Sequence, residues 1–235
     1  MSPDGFLRDV LAAPDRLASL LDAYETPPAG LPELDPARRV LFIGMGSSCF
    51  AAEPVAARLR SVGVAAVAEL ASTGAPSQPH PDTVVVGISA SGTTPETVEA
   101  FARHRESGVL VAVTNDPDSP LAAEADIVLP LFAGTEEGGV ACLTFQATLV
   151  VLHQLAGVAV ADLRPAVAAA AALRERRGEW LEELVALVGG AHTIYTIAPA
   201  ERISSALQSA LMFREGPRRL PTLRRPATGF TSTST

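Results

Sequence analysis

Apolar positions along the chain follow two rhythms. From Phe6 to Tyr24, residues Leu7, Val10, Leu11, Leu17, Leu20 and Leu21 recur at roughly helical spacing, with a break expected at Pro14. That pattern predicts a helical leader. Thr26 to Pro36 carries four prolines and reads as a connector. The rhythm then changes to short apolar runs: Val40–Ile43, Ala65–Ala68, Thr83–Ile88, Val109–Val113 and Ile127–Leu129, most of them separated by helical segments. Short runs rich in Val and Ile, alternating with helices, predict an α/β fold with a doubly wound, five-stranded parallel sheet buried on both faces. In such sheets ligands sit beyond the carboxyl ends of the strands, so the loops after Ile43, Ile88 and Val113 are where chemistry is expected.

Further along, Gly139 to Val160 reads as a long apolar helix, and Asp162 to Leu187 as one or two amphipathic helices around Trp180. His192 to Ala198 has the pattern of a new strand, and about Glu201 to Glu215 that of a helix following it. The expected organisation is a leader and connector (1–36), an α/β domain (37–160), bridging helices (161–190), the start of a second, truncated α/β unit (191–219) and an irregular tail (220–235). The tail shows no hydrophobic periodicity, and its Ser and Thr alternation with two prolines also suits a flexible terminus.

Composition narrows the function. Formal net charge is −8 and the arginines are scattered, which argues against a nucleic-acid surface. The start of the chain lacks a basic segment followed by an apolar one, and no apolar run reaches the ~18 residues of a membrane span, so no membrane partner and a cytoplasmic location are expected. Cys49 and Cys142 have no C-x-x-C partner and read as small buried residues. His80, His104, His153 and His192 show no paired ligand spacing, so no metal is expected, and no motif calls for a cofactor. All 18 basic residues are arginine, which leaves no lysine in this chain for Schiff-base chemistry.

Two loops carry the chemical signal. Gly44-Met45-Gly46-Ser47-Ser48-Cys49 follows the first strand, where glycines allow a tight turn and the next helix offers free N–H groups to an anion. Alone, this loop also suits a dinucleotide fold, with Glu69 placed to hold a ribose, but Cys49 stands where the third glycine belongs. The second loop, Ser89-Ala90-Ser91-Gly92-Thr93-Thr94-Pro95-Glu96-Thr97, decides between them. A phosphate dianion accepts hydrogen bonds from serine and threonine hydroxyls and from N–H groups at a helix start, which Pro95 and Glu96 signal.

The paired loops, with Gly134-Thr135-Glu136 and Gly139-Val140-Ala141 downstream, resemble the SIS (sugar isomerase) family. The resemblance runs from about Ala37 to Arg219 and is nearest to the isomerase half of glucosamine-fructose-6-phosphate aminotransferase and to amino-sugar isomerases and deglycases. It implies a flavodoxin-like three-layer fold and a sugar phosphate as small-molecule partner. It places Ser48, Ser89, Ser91 and Thr94 on phosphate-binding positions, with Gly46, Ser47, Gly92 and Thr93 completing the set. By the same resemblance Glu215 falls on the catalytic base, with Glu136 as a second candidate whose other role is to hold the start of the following helix. A homodimer is implied too. The chain departs from the aminotransferase in having Ser2 near its start, no glutaminase domain and no lysine, so the full synthase reaction is not expected. A ketose/aldose sugar-phosphate isomerase or an amino-sugar-phosphate deaminase or deglycase remains, beside a non-catalytic sugar-phosphate-binding module. Read one base earlier with GC-rich codons, the tail admits a family-like continuation, which suggests a single-base shift near Arg219.

Overall fold

The computed structural model describes residues 2–216 and 221–223, apart from 27 and 107. Helix α1 (Pro3–Ala23) is started by Ser2, whose hydroxyl accepts from the Gly5 N–H at 3.0 Å, and by Pro3 in the first turn. It runs unbroken through Pro14, against the break expected there. Leu17, Leu20 and Leu21, beyond the proline, are buried in the core, and that burial outweighs the one backbone hydrogen bond a proline forfeits.

The alternating run then forms β1 (Arg39–Gly44), α2 (Ser47–Ser61), β2 (Ala65–Leu70), β3 (Thr83–Ile88), α3 (Pro95–Ala102), β4 (Gly108–Thr114), the short α4 (Pro120–Ala123) and β5 (Ile127–Pro130). All five strands are parallel, in the order β2-β1-β3-β4-β5. This is the doubly wound order whose switch point lies between β1 and β3. Every residue of β3 is buried, as a central strand covered on both faces requires. Val84 and Val86 face a core shared with α1, α2 and α5 (Leu143–Leu155), while Val85 faces a smaller core with Phe101 and Leu121.

After α5 come α6 (Val160–Glu175), a 3-10 turn at Arg176–Glu179 and α7 (Leu181–Gly190). Helix α6 packs along α1 through buried Val167, whereas α7 has no buried residue. A short strand β6 (Ile194–Thr196) leads into α8 (Ile203–Glu215), which packs on α2, and β7 (Pro221–Leu223) pairs in parallel with β6. Residues 221–223 were expected to be irregular and instead close a small β-α-β unit. The rest of the expected tail, and the suggested frame shift near Arg219, lie outside the described residues. No helix among the described residues is long and apolar enough to cross a membrane.

Candidate functional site

Gly44, the last residue of β1, is set by sterics: a Cβ there would lie 2.8 Å from Ser48 Cβ and 3.2 Å from the Ile88 carbonyl oxygen. Only glycine lets α2 start so close to the end of β3. Gly46 caps α2 with φ +48°, and half-buried Ser47 and Ser48 form its first turn. The first turn of α2 lies at the switch point, and there the Ser48 N–H is taken up by the Met45 carbonyl at 3.0 Å.

The second loop divides its hydroxyls into two kinds. Ser89 is 3% exposed. Its Oγ accepts from the Gly92 N–H at 3.1 Å and is hydrogen-bonded to Thr94 Oγ1 at 3.0 Å, so Ser89 and Thr94 brace the turn from inside. Ser91 and Thr93 are exposed, and the Thr93 hydroxyl donates to Ser91 Oγ over 2.8 Å. These two present their oxygens to solvent beside the start of α3, where Thr94 is the cap and Pro95 stands in the first turn. Gly92 has φ +64°, and a Cβ there would fall 1.9 Å from Ser119 Oγ, so the turn admits no side chain.

Asn115, just past β4, is a residue the sequence reading did not single out, although it marked the loop after Val113. Its N–H donates to the Ala90 carbonyl at 3.0 Å. Its side chain donates to the Gly134 carbonyl at 2.7 Å and accepts from the Ala133 N–H at 2.9 Å. One residue therefore ties the hydroxyl loop to the loop between β5 and α5.

Both oxygens of Glu136 are engaged at the start of α5. Oε1 accepts from the Leu143 N–H at 2.8 Å and from the Cys142 N–H, and Oε2 accepts from the Thr144 hydroxyl. Of its two expected roles, holding the helix start is the one this geometry displays. Glu215 ends α8 and is exposed, and its carboxylate makes no hydrogen bond or ion pair among the described residues. Seven positions earlier on the same helical face, Gln208 donates to the Ala141 carbonyl at 2.6 Å, which fixes α8 against the β5–α5 loop. The structure thus joins the 89–94 hydroxyls in two pairs, Ser89 with Thr94 and Ser91 with Thr93, and leaves Glu215 on a separate element anchored to the neighbouring loop.

Other titratable groups are accounted for elsewhere. Glu69, the residue that a dinucleotide reading would use, accepts from the N–H and hydroxyl of Ser77 at 3.0 and 2.6 Å. Burial pushes the Cys49 thiol up to about 11 and the Cys142 thiol up to about 12, with Glu53 and Glu136 respectively adding to the effect. Neither thiol is activated as a nucleophile. Among the described residues, no group of three His, Cys, Asp or Glu side chains is arranged to hold a metal.

Fold and loops together define a doubly wound α/β domain with a hydroxyl-rich loop at its switch point. Residues 33–157 match the SIS domain family, and the chain belongs to that family. A stretch of 118 residues is 39% identical to the N-acetylmuramic acid 6-phosphate etherase of Symbiobacterium thermophilum, covering 50% of this chain and 36% of that protein. The glutamine–fructose-6-phosphate aminotransferase (isomerizing) of Pyrobaculum aerophilum is 29% identical over 237 residues, covering 91% of this chain and 38% of its own length. The chain therefore spans little more than a third of either relative. In fold, it resembles the C-terminal domain of glucosamine-fructose-6-phosphate aminotransferase from Francisella tularensis, with a TM-score of 0.74, 17% identity, and coverage of 96% of this chain and 72% of that one.

Proposed function

We propose that this chain binds a phosphorylated sugar, with the phosphate seated between the α2 start (Gly46, Ser47, Ser48) and the Ser89–Thr94 loop. The observation that carries this is the exposed, mutually hydrogen-bonded pair Ser91 and Thr93 beside the start of α3 at the switch point. Within the loop, Ser89, Gly92 and Thr94 hold the shape while Ser91 and Thr93 supply hydroxyls. The named substrates of its relatives, N-acetylmuramic acid 6-phosphate and fructose 6-phosphate, share a phosphate on a terminal sugar carbon, which supports the same ligand class here.

The reaction we assign is proton transfer beside a sugar carbonyl, in a ketose/aldose isomerase or an amino-sugar-phosphate deaminase or deglycase. A phosphate anchor holds the open-chain sugar, and a carboxylate removes the proton to give an enediol or enolamine. Glu215 is the base in this scheme, since Gln208 anchors its helix to the β5–α5 loop. Glu136 serves by shaping that loop. The 235 residues contain no lysine, so no Schiff-base step is assigned to them. The β6-α8-β7 unit is read as the beginning of a second SIS domain, and a homodimer in the cytoplasm as the working state. No cofactor enters the scheme.

The test is thermal stability with and without millimolar fructose 6-phosphate or glucosamine 6-phosphate, followed by isomerase and deaminase assays. A ligand at 100 times its dissociation constant adds about 2.7 kcal/mol to the folded state. Ser91→Ala should abolish the gain, whereas Glu215→Gln should keep the gain and lose turnover. A stabilising ligand with no turnover in the parent chain would favour the non-catalytic sugar-phosphate-binding module. No stabilisation by either sugar phosphate would reject the site.

A further inference from the structure

The loop between β5 and α5 is gripped from the leader helix by a buried carboxylate. Asp9, on α1, is 3% exposed. Its Oδ1 accepts from the Glu137 N–H at 3.1 Å and its Oδ2 from the Gly138 N–H at 2.7 Å. A carboxylate buried in a helix interior is costly unless it is paired. Asp9 makes no ion pair among the described residues, so these two peptide N–H groups are what compensate it. The partners lie 128 and 129 positions away, so local helix structure does not explain the acid.

The surrounding packing leaves the loop no slack. A Cβ on Gly5 would fall 2.6 Å from the Glu137 carbonyl oxygen, and one on Gly138 would fall 2.5 Å from Phe6 Cα. Arg8 pairs with Glu137 at 2.6 Å on the outside. Asn115 holds the beginning of the same loop, and Gln208 holds its far end at Ala141. Between Asp9 and Gln208, Val140 faces a cleft of about 530 Å³ also lined by Phe6, Met212 and Phe213, next to the last turn of α8.

We propose that Asp9 is a positioning residue for the sugar end of the ligand, acting through the Gly134–Ala141 loop and not by touching the ligand. The proposal rests on the sugar-phosphate reading above. In this scheme the hydroxyl loop holds the phosphate, and the loop clamped by Asp9, joined to the hydroxyl loop through the Asn115 bonds to the Ala90 and Gly134 carbonyls, is assigned the side of the carbon chain. Losing the clamp frees the sugar-facing loop and leaves the phosphate loop intact. Asp9→Asn preserves shape and one acceptor, but turns an amide N–H toward a peptide N–H.

The experiment measures dissociation constants for fructose 6-phosphate, glucosamine 6-phosphate and inorganic phosphate by calorimetry, with hydrogen exchange of residues 134–142. It compares the full chain with Asp9→Asn and Asp9→Glu. For Asp9→Asn the expected result is about tenfold weaker binding of both sugar phosphates, unchanged binding of inorganic phosphate and faster exchange in the loop. Asp9→Glu, which restores the acceptor charge, should recover part of the affinity, and it carries the comparison if Asp9→Asn does not fold. Equal weakening of all three ligands would reduce Asp9 to a stability role and overturn the proposal, as would unchanged sugar-phosphate affinity. A parent chain that binds none of the three overturns the sugar-phosphate reading and the positioning role together. That failure is recognised by its appearing before any substitution.

Discussion

The side-chain amide of Asn115 donates to the Gly134 carbonyl over 2.7 Å while its own oxygen accepts from Ala133, so the end of β4 and the turn after β5 are joined by one planar group. Because donor and acceptor are both used, substitutions should rank by what they leave unpaired. Asn115→Ala should lower stability by about 1–3 kcal/mol, the usual effect of stranding partly buried peptide groups. Asn115→Asp should lower it further, because a carboxylate oxygen would then face the Gly134 carbonyl. Urea denaturation of the two variants beside the parent checks the order.

At Gly92 two separate demands meet, a positive φ and contact with Ser119. Gly92→Ala should destabilise by more than about 2 kcal/mol, since both strain and overlap are introduced. Adding Ser119→Gly removes the overlap with Ser119 but leaves a 3.0 Å approach to Thr114 Oγ1 and the left-handed strain of roughly 1–2 kcal/mol. Chemical denaturation should therefore show partial recovery in the double variant. Full recovery would mean that neither the backbone conformation nor the Thr114 contact costs anything.

Glu136 gathers three donors at the start of α5. Glu136→Ala should cost about 1–3 kcal/mol and expose the Cys142 and Leu143 amides to exchange. Nuclear magnetic resonance exchange rates at those two amides, set against the middle of α5, separate local fraying from global loss of stability.

Acid sensitivity should come in part from His104, which is buried and whose Nδ1 has no hydrogen-bond partner among the described residues. Burial holds it below its ordinary value of 6.5, and His153 is lowered for the same reason. A histidine depressed in the fold binds its proton more readily once unfolded. Its contribution is thus complete above the unfolded value and disappears as pH falls through the folded one. Unfolding free energy should decline below pH 6.5, each histidine contributing at most about 1.4 kcal/mol per pH unit, and His104→Phe should make that decline shallower. Denaturation midpoints at several pH values between 7.5 and 5 test it.

The sheet was legible because Val40–Ile43, Thr83–Ile88 and Val109–Val113 are buried on both faces, and such strands advertise themselves as unbroken apolar runs. The Ser89–Thr94 loop was legible as a cluster of hydroxyls. Which hydroxyls face inward was not, since that depends on φ at Gly92 and on Ser119, neither of which composition reveals. Asp9 and Asn115 escaped for a different reason: their partners are peptide groups far along the chain, and backbone atoms leave no trace in residue type. Pro14 misled because a local rule about helix breaking was set aside by core burial of the residues beyond it.

Gly44 and Ile88 sit side by side in register, so β1 and β3 end level with each other. Neither the 44–49 loop nor the 89–97 loop contains an arginine. On the proposed assignment, a dianion received there is met by fixed dipoles and hydroxyls and by no cation of these two loops. Its attraction is short-ranged and directional, so added salt should weaken capture far less than in a site built on cations. A tetrahedral phosphate is then favoured over a planar carboxylate by where its oxygens point, and selectivity becomes a matter of angles before it is one of charge.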